Sequence, residues 1–163
     1  MKVQVAFGRP DIDYDVRSPA VNFFHNPFPS SITGIPGHEV ENIRIEDVEI
    51  TYPGRASKGM AYVPLSRLSQ VPEQIKDYPE FLMFRELPSW GFYVRHATGI
   101  TFKNVVVAAK EYDFRPAYVF DDVQEVNMDH VTINEDEKGA QIVLRNVTGE
   151  NIKVKPELMK SVN

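Results

Sequence analysis

The feature of this sequence that most constrains its fold is a short apolar pattern that recurs along the chain. The pattern occurs in "ENIRIEDVEI" (41–50), "TGITFKNVVV" (98–107), "QEVNMDHVTI" (124–133) and, truncated, in "ENIKV" (150–154). In each full copy two apolar residues alternate with polar ones, and the next apolar residue follows three positions later. A short alternating strand that repeats is typical of solenoid proteins, in which each repeat stacks on the previous one.

The spacing of the copies predicts the size of the repeat. Equivalent apolar residues of the three later copies lie 26 residues apart, in the rows Ile100, Val126, Ile152 and Phe102, Met128, Val154. The first copy, at Ile43, precedes Ile100 by 57 residues, which is one repeat plus an inserted loop of 31 residues. We therefore predict an all-β fold, a right-handed parallel β-helix of about 26 residues per coil with long inserted loops.

The break in alternation predicts a corner within each repeat. The residue just before the apolar pattern resumes is Asp47, Asn104 or His130. Asn, Asp and His adopt a left-handed backbone more readily than other residues that carry a side chain. We expect left-handed corners at these three positions.

The same interval predicts which side chains stack across repeats. It sets Arg95 over Asp121 and Lys103 over Asp129, two pairs of opposite charge. We expect both pairs to be exposed, where each contributes less than about 1 kcal/mol and serves to favour the register.

Two segments outside the repeat are predicted to be ordered loops. Residues 9–37 combine five prolines with the aromatic run "NFFHNPFPSS". The insertion between the first two copies is expected to form one or two helical turns that begin near Pro72 and end before Pro79. Long ordered loops on a rigid scaffold are where binding residues are usually found.

Composition limits the domain organisation and the partners. With 163 residues, 42% of them hydrophobic, the chain is predicted to form one domain spanning 1–163. Its 18 basic and 23 acidic residues give a net charge of -5, which argues against nucleic acid as a partner. We predict no membrane segment and no signal peptide, because no apolar run reaches the required length. The absence of cysteine excludes disulfides and thiolate chemistry.

Several stretches together resemble a known family. "FFHNPFPSSITGIPG", "ITYPGRASKGMAYVPLSRL", "ELPSWGFYVRHATGITFKNV" and "DFRPAYVFDDV" resemble the C-terminal part of bacterial polygalacturonase-like proteins of glycoside hydrolase family 28. The resemblance extends from residue 9 to residue 147. It implies a pectin-lyase-like β-helix and an exported parent protein, periplasmic, on the cell surface or extracellular, that hydrolyses pectic or related polysaccharide with inversion. We predict no cofactor.

The chain departs from the family's catalytic motifs. Family members use aspartates of an Asn-Thr-Asp and an Asp-Asp motif, with Gly-His-Gly and Arg-Ile-Lys motifs nearby. Here "PGHE" carries Glu39 in place of the last glycine, "NIRIE" carries Glu46 in place of lysine, and "VFDDV" supplies Asp121 and Asp122 without an Asn-Thr-Asp motif. We therefore expect the catalytic coils to lie outside this chain, which leaves its status as an enzyme open.

Asp121 and Asp122 are nevertheless the candidate catalytic carboxylates. Inverting hydrolysis requires two carboxyl groups about 6.5–9.5 Å apart with water between them, whereas neighbours on a strand point to opposite faces. We expect Asp121 to pair with Arg95, and Asp122 to occupy the position that His96 holds one repeat earlier. The alternative is a surface carboxylate that binds sugar hydroxyls or a cation.

Four residues are candidates for substrate binding. Arg95, His96 and Arg115 could line a cleft for an acidic oligosaccharide, because guanidinium groups bind carboxylates in a two-pronged geometry. Trp90 could stack on a sugar face or anchor the core. The four histidines of the chain lack the spacing of metal ligands, so no metal site is predicted.

Three functions stay open. The preferred one is a β-helix segment of a family 28 glycoside hydrolase-like protein that is inactive alone, and the second is a non-catalytic carbohydrate-binding or structural accessory module. The third is a complete small hydrolase that uses some of the carboxylates of Asp77, Glu80, Glu86, Asp121 and Asp122. We further expect the open end of the stack to be covered by the N-terminal strand "KVQVAF" or by a second copy in a homodimer.

Overall fold

A computed structural model describes residues 1–5, 28–56, 64–77, 83–84, 87–134 and 139–163. In these ranges the chain is mostly parallel β-sheet. The strands are β1 (Lys2–Gln4), β2 (Ser30–Thr33), β3 (Val40–Glu41), β4 (Arg44–Tyr52), β5 (Phe92–Ala109), β6 (Tyr118–Asn134), β7 (Ile142–Thr148), β8 (Asn151–Ile152) and β9 (Met159–Ser161). The helices described are two short 3-10 helices, Leu65–Gln70 and Pro156–Leu158, and neither could cross a membrane. The all-β, parallel character predicted from the sequence is confirmed.

The strands follow one another across the sheet with little rearrangement of chain order. The main path is β1-β4-β5-β6-β7-β9, while β2 and β3 pair with β5 and β8 pairs with β6. All of these pairings are parallel. The long strands β5 and β6 therefore form the centre of the sheet, and shorter strands extend it on both sides.

The register between β5 and β6 is the one that the sequence pattern predicts. Ile100 lies opposite Val126, and Arg95 lies opposite Asp121. Farther on the prediction is wrong, because Ile152 lies opposite Met128 rather than Val126. A shift of two residues keeps the same face of a strand inward, so the apolar pattern alone does not distinguish the two registers.

Residues with a left-handed backbone recur at equivalent positions of successive strands. A set of such equivalent positions is called a row here. The left-handed backbone predicted at Asp47, Asn104 and His130 is confirmed, with φ angles of 53°, 52° and 53°, and such a left-handed position in a strand is called a corner below. The Asn104 side-chain amide also donates a hydrogen bond of 2.9 Å to Asp47 Oδ1 in the same row. Two further rows contain left-handed residues, namely His96, Asp122 and Asn146 in one and Asn42, Gly99, Glu125 and Gly149 in the other.

Aromatic and aliphatic side chains fill one side of the strands. The rings of Phe92 and Tyr118 are stacked with centroids 5.4 Å apart, and Phe102 meets Tyr118 edge to face at 5.3 Å. Ile100 and Val126, which lie opposite each other in the next row, continue this core. Burial of these rows is the main source of stability, at roughly 1.5–3 kcal/mol per side chain.

The inserted segment covers the opposite side of the strands. Tyr93, Val119 and Val143, one from each successive strand, pack against a group from the insertion that comprises Leu68, Val71 and Leu87. The prediction of a helical turn that begins near Pro72 is wrong. The 3-10 helix lies earlier, at Leu65–Gln70, and the left-handed φ of 51° at Gln74 does not permit a helix there.

The N-terminal strand pairs with the first strand of the repeat pattern. In β1, Lys2 lies opposite Glu49 and Val3 lies opposite Ile50. This pairing is the first of the two arrangements expected there, in which the N-terminal strand covers the open end of the stack. The proline- and aromatic-rich loop is described only from Phe28 onward, where it forms β2 and a turn, and its earlier part lies outside the described residues.

The central row gives a direct test of the packing. We expect Phe102→Ala to lower the free energy of unfolding by about 3–5 kcal/mol, because it removes a fully buried ring that contacts three other rings. The neighbouring exposed substitution Lys103→Ala should change it by less than about 0.5 kcal/mol. Urea denaturation of both variants measures this, and equal effects would contradict the assignment of inner and outer faces.

Candidate functional site

Arg95 is held on the face of β5 that the inserted segment covers. Its side chain is only 9% exposed. The Nη2 atom lies 2.7 Å from Glu73 Oε1, and Nη1 donates a 2.7 Å hydrogen bond to the carbonyl oxygen of Val71. Both partners belong to the insertion, so Arg95 fastens this segment to the sheet.

Asp121 lies beside Arg95 on the next strand and faces two guanidinium groups. Its Oδ2 atom is 3.4 Å from Arg95 Nε, and its Oδ1 atom accepts a 2.8 Å hydrogen bond from Arg145 Nη1. The hydroxyl group of Tyr93 donates to Oδ2 at 3.4 Å, and burial, followed by the charge of Asp121, raises the pKa of Tyr93. The predicted pairing is thus present, but the expectation of an exposed pair is wrong because the side chain of Asp121 is 1% exposed.

His96 occupies the corner that follows Arg95 and contacts two carboxylates. Its Nδ1 atom lies 2.6 Å from Asp122 Oδ2, and its Nε2 atom lies 3.1 Å from Glu73 Oε1. These contacts join the residues into one network, here called the Arg95 cluster, which comprises Glu73, Tyr93, Arg95, His96, Asp121, Asp122 and Arg145.

The left-handed corner row explains why the adjacent aspartates differ. His96 and Asp122 have φ angles of 47° and 58°, so Asp122 occupies the position of His96 one strand later, as expected. Asp121 is buried before the corner, whereas the side chain of Asp122 is 54% exposed. The two neighbouring carboxylates therefore have different surroundings, one between cations and the other beside a histidine at the surface.

Trp90 and Arg115, the other two sequence candidates, have their contacts elsewhere. Trp90 is fully buried, with its ring 5.7 Å from that of Tyr52, so its faces are not open to a ligand. Arg115 forms a two-pronged pair with Asp113, at 2.9 Å from Nε to Oδ1 and 2.8 Å from Nη2 to Oδ2. Arg115 also donates to the carbonyl oxygen of Leu87, which anchors another part of the insertion.

Sequence reasoning missed Tyr93, Arg145 and Glu73 of the Arg95 cluster, and of these three only Glu73 lies outside the repeated strands. One of its oxygen atoms, Oε1, contacts both Arg95 and His96. It lies in the insertion, outside the repeat, so no spacing rule relates it to the strands. The signal that could have found it is the need of a buried arginine for more than one partner.

The contacts of these carboxylates restrict their chemistry. The imidazole ring of His96 lies between Glu73 and Asp122 and contacts both, where an inverting pair needs space for water. Asp121 is enclosed by its cationic partners. Among the residues that the structure describes, no group of three or more histidines or carboxylates is arranged to hold a metal ion.

Comparisons with protein-family models, with curated proteins and with solved structures find no match to this chain.

The two aspartates offer a matched pair of substitutions. We expect Asp121→Asn to lower the free energy of unfolding by about 3 kcal/mol or more, because it leaves Arg145 without its buried counter-charge and Arg95 with Glu73 alone. Asp122→Asn should lower it by less than about 1 kcal/mol, because that side chain is half exposed. Urea denaturation of the two variants checks the order, and an equal or reversed order would contradict the structural role given to Asp121.

Proposed function

We propose that the parallel strands are wound as a right-handed β-helix, with the rows of left-handed residues at its corners. The in-register pairing of β5 with β4 and β6 supports this arrangement, because strands that continue around a helix stack on themselves in register. The recurrence of left-handed backbone in the same rows supports it as well. In this arrangement the aromatic rows are the interior and the charged rows are the outer surface.

On this scaffold we infer a relationship to the polygalacturonase-like glycoside hydrolases of family 28. The support is the set of sequence stretches that resemble that family, and above all the region from Trp90 to His96 and from Arg115 to Val123. The proposed parent protein is exported and acts on pectic or related polysaccharide by inverting hydrolysis. The role proposed for this chain is to contribute to the polysaccharide-binding surface.

The chain itself is proposed not to hydrolyse glycosidic bonds. This proposal rests on the contacts of the carboxylates in the Arg95 cluster. Glu73 and Asp122 share one imidazole ring, and Asp121 is bonded to guanidinium and hydroxyl groups in a buried position. A general acid and a general base need access to the substrate and to water. The cluster instead serves to fasten the inserted segment to the sheet.

The second candidate function is a carbohydrate-binding module that acts without catalysis. Asp122 favours it, because its half-exposed carboxylate lies at the surface beside the insertion. Ionised carboxylates form strong hydrogen bonds with hydroxyl groups. Isothermal calorimetry with pectic oligosaccharides tests this candidate, and absence of heat across the panel would exclude it.

Hydrolysis is tested by measuring reducing ends released from homogalacturonan and rhamnogalacturonan. We expect the purified chain to release no more than a protein-free blank, because the carboxylates of the Arg95 cluster are bonded to Arg95, His96 and Arg145. An active polygalacturonase is the positive control. Release above the blank that disappears in Asp122→Asn would contradict the proposal and identify the chain as a complete hydrolase.

A further inference from the structure

A polar cavity of about 340 Å³ lies on the outer surface of the sheet, and no member of the Arg95 cluster lines it. The polar residues that line it are Asn42, Arg44, Thr101, Glu125, Asn127 and Asn151. Its volume falls within the range of small-molecule sites. Neither the proposed scaffold role nor the Arg95 cluster accounts for it.

The register of the strands builds one wall of this cavity. Thr101 lies opposite Arg44 on one side and Asn127 on the other, and Asn127 lies opposite Asn151. The Asn151 side-chain amide donates a 3.1 Å hydrogen bond to Asn127 Oδ1. Hydroxyl and amide groups therefore follow one another at the strand spacing of about 4.8 Å.

The row of left-handed residues builds the other wall. It contains Asn42, Gly99, Glu125 and Gly149. The two glycines lie on either side of Glu125, and a side chain on Gly99 would meet Asn42 Oδ1 at 3.0 Å. Because the glycines project nothing outward, the row leaves a concave surface beside the Glu125 side chain.

Glu125 has a backbone conformation that its residue type disfavours. Its φ angle is 57°, whereas the other left-handed residues in the described strands are Asp, Asn, His or Gly. Glu lacks the local hydrogen bonding that makes this region accessible to Asn and Asp. Backbone strain of this kind is concentrated at functional sites.

The carboxylate of Glu125 is also unpaired among the described residues. Two nearby ion pairs of the outer surface are Arg44 with Glu46 and Lys153 with Asp129, and neither includes Glu125. The Glu125 side chain is exposed and makes no hydrogen bond or ion pair with a described residue. An ionised carboxylate accepts hydrogen bonds and donates none, so its suitable partners are hydroxyl or amine donors.

We propose that this cavity binds a neutral oligosaccharide, with the Glu125 carboxylate accepting hydrogen bonds from adjacent hydroxyl groups of one sugar unit. Thr101, Asn127 and Asn151 contact the next unit. The inference rests on the proposed function, which supplies a polysaccharide as the ligand class. The inference differs from the proposed function in the kind of sugar that is bound, because the unpaired charge of Glu125 repels a uronate carboxylate. The ligand is therefore neutral rather than the acidic sugar expected beside Arg95.

The substitution Glu125→Gly tests the site without damaging the fold. It places glycine in a row that already has Gly99 and Gly149 on either side, so the melting temperature should equal or exceed that of the parent chain. The probes are galacto-, arabino- and xylo-oligosaccharides, with an oligogalacturonide of equal length for comparison. Titrations followed by NMR of the ¹⁵N-labelled chain should give amide shifts at Thr101, Asn127 and Asn151 with at least one neutral probe.

Loss of the charge-assisted hydrogen bonds should weaken that binding at least tenfold in Glu125→Gly. Lys103→Ala, on the same strand face as Thr101, is the matched control and should leave the affinity unchanged. Neutral-sugar binding that persists in Glu125→Gly, or a preference for the oligogalacturonide, would overturn this inference and leave the proposed function intact. Binding of no carbohydrate would overturn the inference, whereas release of reducing ends would overturn only the proposal that the chain is not a hydrolase.

Discussion

Along the two longest strands, the backbone enters the left-handed region at fixed positions, and the placement of every other group depends on this. Each such residue resets the alternation of side chains, so the same sequence of inner and outer positions recurs in the next strand. The rows at His96 and Asp122 and at Asn104 and His130 consist of residue types that tolerate this conformation. Because these left-handed positions coincide, aromatic rings meet aromatic rings on one face of the sheet, and Arg95 meets Asp121 on the opposite face.

The buried charges depend in turn on these rows. Arg95 precedes a corner and Asp121 precedes the equivalent corner of the next strand, so their side chains lie together under the insertion. Glu73 then bonds to the arginine on one side of the corner and to His96 on the other. A buried ion network is a weak source of net stability, but it disfavours any arrangement that leaves one of its charges unpaired. The network therefore specifies where the insertion lies, and this supports the proposal of a structural rather than a catalytic role.

The sequence predicted the parts of the fold that repeat. The register of Ile100 with Val126 and the left-handed backbone at Asn104 followed from spacing and residue type. The pairing of Ile152 with Met128 could not be predicted, because a two-residue shift preserves the pattern of inner and outer positions.

For the candidate site, the prediction brought Arg95 together with Asp121 and His96 together with Asp122, since each pair shares a row. The sequence did not predict that Arg95 and Asp121 are buried, or that Glu73 contacts Arg95 and His96. Both features depend on how an insertion without a repeat folds over the sheet. The strain at Glu125 is visible only once the left-handed row is known. Spacing thus predicts groups within a row, whereas contacts between the rows and the inserted segment require the three-dimensional structure.

The stacking of the rows is the claim on which both proposals depend, and cross-linking tests it most directly. The chain contains no cysteine, so pairs of cysteines can be introduced without background. The account predicts that Asn127→Cys with Asn151→Cys forms a disulfide on mild oxidation, because these residues lie opposite each other on adjacent strands. The pair Asn127→Cys with Lys153→Cys should remain reduced, because diagonal neighbours are about 7–8 Å apart. Preferential cross-linking of that second pair would contradict the register and, with it, the positions given to both sites.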